Sequence, residues 1–161
     1  MQRKAGLLMK VIIVSDSHSY ISTLEAIFNE EKSFDAVIHL GDGASDMSYL
    51  SGISAGKPVY QLKGNCDFNS SDLPPRFISC FDKVKFFACH GDKYNVKTTL
   101  VSLMYAAKEY ECSLVLYGHT HTAHKEEADG MCFFNPGSAA NGSYGVLETD
   151  GESFRICHKS V

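Results

Sequence analysis

The chain has 161 residues, 44% of them hydrophobic, and a formal net charge of −4. That length fits one domain of ordinary size, and the apolar share can fill a core without a disulfide or structural metal to hold it together. The acidic balance offers no basic surface to a nucleic acid or a membrane, although a positive site built on metal ions would not show in such a tally. No apolar run approaches the roughly 20 residues needed to cross a bilayer. The opening MQRKAGLLMK lacks the apolar core of a secretory signal, so a cytoplasmic protein is expected. Six cysteines with no CxxC spacing argue against a disulfide framework.

In chain order, Leu7 to Val14 is a β-branched run ending in SDSH and predicts the first strand. Met9 already looks like the start of a domain, so residues 1–8 are read as an N-terminal extension and 9–161 as the domain proper. Residues 20–31 place Leu24, Ile27 and Phe28 at helical spacing. Residues 36–40 predict a second strand, ending in GDG, and 58–62 a third, ending in GNCD. The polar stretch DFNSSDLPPR, 67–76, reads as a loop. Strands at 77–81 and 84–89 are joined by a turn at Asp82 and Lys83, and the second ends in CHGD. Residues 96–110 give the clearest helix, with Val96, Leu100, Leu103 or Met104 and Ala107 on one face. A strand at 113–117 ends in GHTH. Beyond about 123, short strands alternate with glycine turns, at 131–134, 144–149 and 153–158. Strand–helix alternation followed by a strand-rich half predicts an α/β layered fold with mixed sheets.

Asp16, His18, Asp42, Asn65, His90, His119 and His121 share one property: each follows an apolar run, usually beside a glycine. In open α/β sheets the carboxyl ends of strands are where ligands bind, so five strands would deliver seven oxygen or nitrogen donors to one rim. Alternate residues of an extended chain point to the same side. Asp16 and His18 therefore suit one ion. His119 and His121, if extended, lie roughly 7 Å apart and suit two ions about 3.5–4 Å apart, though a single ion could take both. A donor set of His, Asp and Asn favours Mn²⁺, Fe²⁺, Zn²⁺ or Ni²⁺ over soft-metal or all-oxygen sites. Two divalent ions, two carboxylates and a hydroxide leave a small positive charge, which suits an anionic phosphate ester.

DSH, GDG, GNCD, HGD and GHTH, in this order, resemble the five motifs of calcineurin-like metallophosphoesterases. The later NPGS, Asn135 to Ser138, is similar to a stretch of their small YfcE-type phosphodiesterase branch. The resemblance runs from Met9 through nearly the whole chain. It implies a single-domain four-layer αββα sandwich of two mixed sheets carrying two divalent metal ions, Mn²⁺ first and Ni²⁺, Zn²⁺ or Fe²⁺ as alternatives. Carried over by position, Asp16, His18 and His121 would hold one ion, Asn65, His90 and His119 the other, and Asp42 would bridge them. A metal-bridging hydroxide would attack the phosphorus of a small phosphate ester. The candidate catalytic residues are Asp42, Asn65, His90 and Cys66.

Cys66 is a departure from many superfamily members, which carry a histidine there to protonate the leaving alkoxide. A thiol is a poor substitute, and nearby cations would favour its thiolate. Good leaving groups should therefore be preferred. Asp67 and Asp92 are candidates either to orient imidazoles or to cap turns. His39 reads as a satisfied structural histidine, His124 and His158 as surface residues, and Asn135 to Ser138 as lining without metal contact. The Asp72 to Arg76 loop could border the substrate, with Arg76 a candidate phosphate clamp. The implied function is a metal-dependent phosphodiesterase or phosphatase on small esters, with no membrane or nucleic-acid partner and a homo-oligomer left open. The rivals are a partner-binding scaffold of the same fold, as in one retromer subunit with a degraded ligand set, and a nuclease, which would need extra domains or basic surface.

Overall fold

Five apolar strands of this chain are buried on both faces, and that decides the architecture. A computed structural model describes residues 8–49, 52, 54 and 56–161. Two five-stranded sheets stack face to face. The first has the order β10-β9-β1-β2-β3, from β1 (Met9–Val14), β2 (Ala36–His39), β3 (Val59–Gln61), β9 (Ser143–Thr149) and β10 (Phe154–Ser160). The second has the order β4-β5-β6-β8-β7, from β4 (Arg76–Phe81), β5 (Val84–Cys89), β6 (Leu114–Leu116), β7 (His124–Ala128) and β8 (Met131–Asn135). β1, β2 and β3 run parallel, as do β5, β6 and β8, while the outer pairings are antiparallel. Both sheets are therefore mixed.

Side-chain alternation sorts the core into three seams. Along β1, Val11 and Ile13 face the second sheet, where they meet Phe86, Ala88, Leu114, Leu116 and Phe134. Ile12 and Val14 face outward onto Leu24, Ile27 and Phe28 of α1 (Ile21–Glu30). Along β5, Phe86 and Ala88 point inward, while Phe87 and Cys89 pack with Leu103 and Ala107 of α3 (Val101–Glu109). Helix, sheet, sheet and helix thus make the four layers. Strands covered on both sides have no polar face, which is why they read as unbroken apolar runs.

Three elements differ from their sequence patterns. The helix predicted over 96–110 begins only at Val101. Asn95 takes a left-handed φ of 54°, and its carbonyl accepts from the Thr98 and Thr99 amides in a turn. Asn-Val-Lys-Thr-Thr favours turn geometry over helix, yet Val96 and Leu100 still join the α3 core seam. The strand β7, HKEEA, went unseen because it is a mostly exposed edge strand without an apolar face. The short α2 (Asp46–Tyr49) was also unread. Residues 1–7, most of the stretch read as an extension, lie outside the described residues. Among the described residues, no helix is long and apolar enough to cross a membrane.

Candidate metal centre

The parallel strands of both sheets end at the same rim, and the loops that follow them carry the polar motifs. β1 leads to Asp16 and His18, β2 to Asp42, β3 to Asn65, β5 to His90 and β6 to His119 and His121. Asp16 and His90 are fully buried and Asp42 nearly so. His18 and His121 are partly exposed, at 30% and 49%.

These groups converge as two overlapping clusters. Asp16, His18 and His121 form one, and Asp42, His90 and His119 the other, with ligand atoms in each within 4.8 Å of one another. Asp16 Oδ1 lies 3.2 Å from His121 Nε2, 3.6 Å from His18 Nε2 and 3.9 Å from His90 Nε2. Asp42 Oδ2 lies 3.3 Å from His90 Nε2 and 3.7 Å from His18 Nε2, so it reaches both clusters. Asn65 Oδ1 is 3.0 Å from His90 Nε2, and His119 Nδ1 is 3.2 Å from the same nitrogen.

The hydrogen-bond inventory does not close at this point. Asp16 Oδ2 accepts from the Ser15 hydroxyl and the His119 amide, but the buried Oδ1 has no hydrogen-bond partner. His18 Nε2 and His121 Nε2 face each other at 3.3 Å, with room for one hydrogen between them. His90 Nδ1–H donates to the Leu40 carbonyl, which leaves Nε2 aimed at two oxygen acceptors, on Asn65 and Asp42. Burial pushes the His90 pKa down, but Asp42 and Asp16 more than offset this and hold it raised. Burial likewise opposes ionisation of Asp42. Hydrogen bonds from His90 and from the Cys66 amide nevertheless keep its carboxyl far below the usual range. A pocket with an orphaned carboxylate oxygen and convergent lone pairs fits divalent cations with N and O ligands.

The backbone is bent to make this convergence. Asp16, His18, Asp42, His119 and His121 all have left-handed φ, between 43° and 70°. The GHTH segment is therefore not extended, as the strand spacing suggested. His119 and His121 still diverge to different clusters, but by twisting around Thr120. Gly118 is required here, because a Cβ would sit 2.0 Å from Ser15 Oγ and 2.9 Å from Asp16 Oδ2. At Gly64 a Cβ would lie 2.1 Å from Asp42 Oδ1.

A shell of further residues holds these bends. Asp67 does not orient an imidazole. Its carboxylate accepts four backbone N–H groups, from Asp42, Gly43, Ala44 and Gly64, and so buckles the GDG loop to the GNCD loop. Gly41 N–H donates to His39 Nδ1, so His39 Nε2–H donates to Ser17 Oγ, whose hydroxyl donates to Asp46 Oδ2. His39 is the satisfied structural histidine the strand pattern suggested. Burial, only partly countered by Asp16, Asp67 and Asp46, lowers its pKa to about 4. Asn135 donates to the Gly118 carbonyl and Thr120 Oγ1, and Ser138 Oγ donates to the Asp16 carbonyl. NPGS thus clamps two ligand loops together. Ser15, Ser17 and Asp46 went unnoticed in the sequence, where they look like ordinary turn residues.

Cys66 Sγ forms a third close cluster with His18 and Asp42. Burial and the carboxylates of Asp42, Asp67 and Asp16 push its thiol up in the protein alone; the expected thiolate presumed neighbouring cations. Arg76 does not face the centre. Its Nη1 donates to Tyr94 at 3.5 Å and its guanidinium lies over Tyr110, on the α3 side. His124 is exposed as expected, whereas the exposed His158 also donates to the Asn135 carbonyl and stacks on Phe134. Asp92 begins a short 3₁₀ turn beside Lys93.

A two-sheet sandwich with a rim of His, Asp and Asn donors defines a class of metal-dependent hydrolase folds. The chain belongs to the calcineurin-like phosphoesterase superfamily, whose domain description matches residues 9–155. It is 33% identical over 155 residues to the probable metallophosphoesterase YsnB of Bacillus subtilis, covering 92% of this chain and 89% of that one. It is 30% identical over 168 residues to the phosphodiesterase MJ0936 of Methanocaldococcus jannaschii, covering 91% and 97%. The fold also matches a Vps29 complexed with Zn²⁺ from Entamoeba histolytica, with a TM-score of 0.79 at 19% identity, over 94% of this chain and 92% of that one.

Proposed function

We propose that this chain is a phosphodiesterase that hydrolyses small phosphate esters with two divalent cations. Asp16, His18 and His121 would hold one, Asn65, His90 and His119 the other, and Asp42 would join them. Mn²⁺ is the first choice, with Ni²⁺, Zn²⁺ and Fe²⁺ as alternatives. The observation that carries this reading is Asp16 Oδ1, buried, unpartnered and within 3.6 Å of the imidazoles of His18 and His121. The relatives named as phosphoesterases supply the reaction class.

When bound, such cations lower the pKa of a water toward about 7 and offset charge developing on phosphoryl oxygens. The chain's own residues prepare the place. In the metal-free chain, hydrogen bonds from His90 and the Cys66 amide keep Asp42 ionised, and the Cys66 amide can still donate to it when His90 Nε2 is given to a cation. His90 is aimed by the Leu40 carbonyl. The buckle at Asp67 fixes the distance between the Asp42 and Asn65 loops. None of these residues is a strong proton donor to a leaving alkoxide, so aryl esters suit the site better than alkyl ones.

A partner-binding scaffold shares the fold, but the complete donor set favours hydrolysis. Metal-stripped protein, with Mn²⁺, Ni²⁺, Zn²⁺ or Mg²⁺ added back, is tested on bis-p-nitrophenyl phosphate and p-nitrophenyl phosphate. Activity should be absent without metal and restored by Mn²⁺. Folded protein inactive on both esters with all four metals would move the function to the scaffold reading.

A further inference from the structure

A cavity of about 480 Å³ opens beside the centre on the Asn65 side. It falls within the range of small-molecule sites. Asn65 and Gly64 form the wall nearest the centre, Leu73 and Pro75 give an apolar surface, and Phe68, Lys63, Lys93 and Asp92 are also among the lining residues. Asn65 is common to the cavity wall and the candidate centre, since its Oδ1 lies 3.0 Å from His90 Nε2.

An exposed phenylalanine alone means little, but Phe68 is unusual in how it is held. It is 83% exposed and follows Asp67, whose carboxylate is tied to four amides. The backbone on either side is fixed too, by Asp67 N–H to the Gly64 carbonyl and Ser70 N–H to the Asp67 carbonyl. The ring is thus presented to solvent from an anchored turn, three residues from Asn65. Lys63 makes no ion pair among the described residues, while Lys93 is within 3.6 Å of Asp92. The charged lining therefore carries one net cation, on Lys63.

We propose that this cavity binds one ester arm of the substrate, and that the arm carries a planar aromatic ring with further negative charge, as in a nucleotide or an anionic aryl phosphate. The ring stacks on Phe68, a contact that tolerates any flat π-face, Leu73 and Pro75 cover its apolar edge, and Lys63 meets the added anion. This assignment rests on the phosphodiesterase reading for its scissile phosphate, but not for binding itself.

The two are separated by a binding test on metal-free protein followed by kinetics. Adenosine 5′-monophosphate and ribose 5-phosphate are titrated calorimetrically into wild type, Phe68→Ala and Lys63→Ala. Wild type should bind adenosine 5′-monophosphate at least about tenfold more tightly than ribose 5-phosphate. Phe68→Ala should lose that preference, and Lys63→Ala should weaken both ligands. Equal affinity of wild type for the two ligands, or a preference untouched by Phe68→Ala, would overturn the proposal. With Mn²⁺ present, Phe68→Ala should raise KM for bis-p-nitrophenyl phosphate about tenfold, with a much smaller change in kcat. A Phe68-dependent preference in a protein that hydrolyses nothing would uphold the cavity and sink the hydrolase reading. Hydrolysis with KM indifferent to Phe68 would do the reverse.

Discussion

A buried carboxylate oxygen without a hydrogen bond costs about 1–3 kcal/mol, and Asp16 Oδ1 is such an atom. The left-handed φ at Asp16, His18, Asp42, His119 and His121 adds strain of about 1–3 kcal/mol at each position. Selection for stability alone would remove both features; cations that bind these atoms would offset them. Asp16→Asn should therefore keep or raise the melting temperature of metal-free protein, since an amide can donate to His121. It should also abolish most of the stabilisation that Mn²⁺ gives wild type. A marked fall in metal-free stability with the Mn²⁺ shift intact would refute this. At Cys66 the site has no imidazole for the leaving group. Cys66→His should raise turnover of a dialkyl phosphate diester by roughly 100-fold, the lower end of general acid catalysis, and change p-nitrophenyl ester turnover little. A steady-state comparison of the two substrate types checks it, and equal effects on both would count against the role assigned. None of the strain was legible in the sequence, because DSH or GHTH gives residue types but not φ.

Legibility at the level of elements followed burial. β1, β2, β5 and β6 were readable because both faces are covered and the runs are apolar. β7 was not, because an exposed edge strand can be wholly polar. The start of α3 was misplaced because Val96 and Leu100 contribute to the same apolar seam from a turn, mimicking helical spacing. The end of α1 carries a contact that no periodicity reveals. Glu31, buried at 3%, pairs with Lys10 of β1 and, at 2.6 Å, Lys159 of β10, and accepts from Tyr144 of β9 at 2.9 Å. Burial raises its pKa, but the hydrogen bonds from Lys10, Lys159 and Tyr144 prevail and bring it to about 2, against an ordinary 4.5. A depressed carboxyl pKa contributes stability that is present above the unfolded value and lost as pH falls through the folded one. Glu31→Gln should therefore cost on the order of 3 kcal/mol at pH 7, and the difference from wild type should shrink between about pH 4.5 and 2. Urea denaturation of both proteins at pH 7 and pH 3 measures this; a gap that is constant with pH would contradict it.

Across the whole molecule, two sheets present the carboxyl ends of five strands to one rim, and this delivers the donors to two overlapping clusters. The order of the motifs made the donor set legible. What that order could not show was the packing that brings a β1 loop against a β6 loop, through Ser138 on the Asp16 carbonyl and Asn135 on the Gly118 carbonyl. Nor could it show the cavity beside Asn65, whose lining comes from two separate stretches of chain, 63–75 and 92–93. The central claim is that these seven side chains hold a pair of cations, and counting the ions tests it most directly. Metal-free protein is dialysed against Mn²⁺ and the bound metal measured by elemental analysis, for wild type, His121→Ala and His119→Ala. The expected result is two ions per wild-type chain and close to one in each variant. One ion or none in folded wild type, or variants that still bind two, would contradict the dinuclear centre.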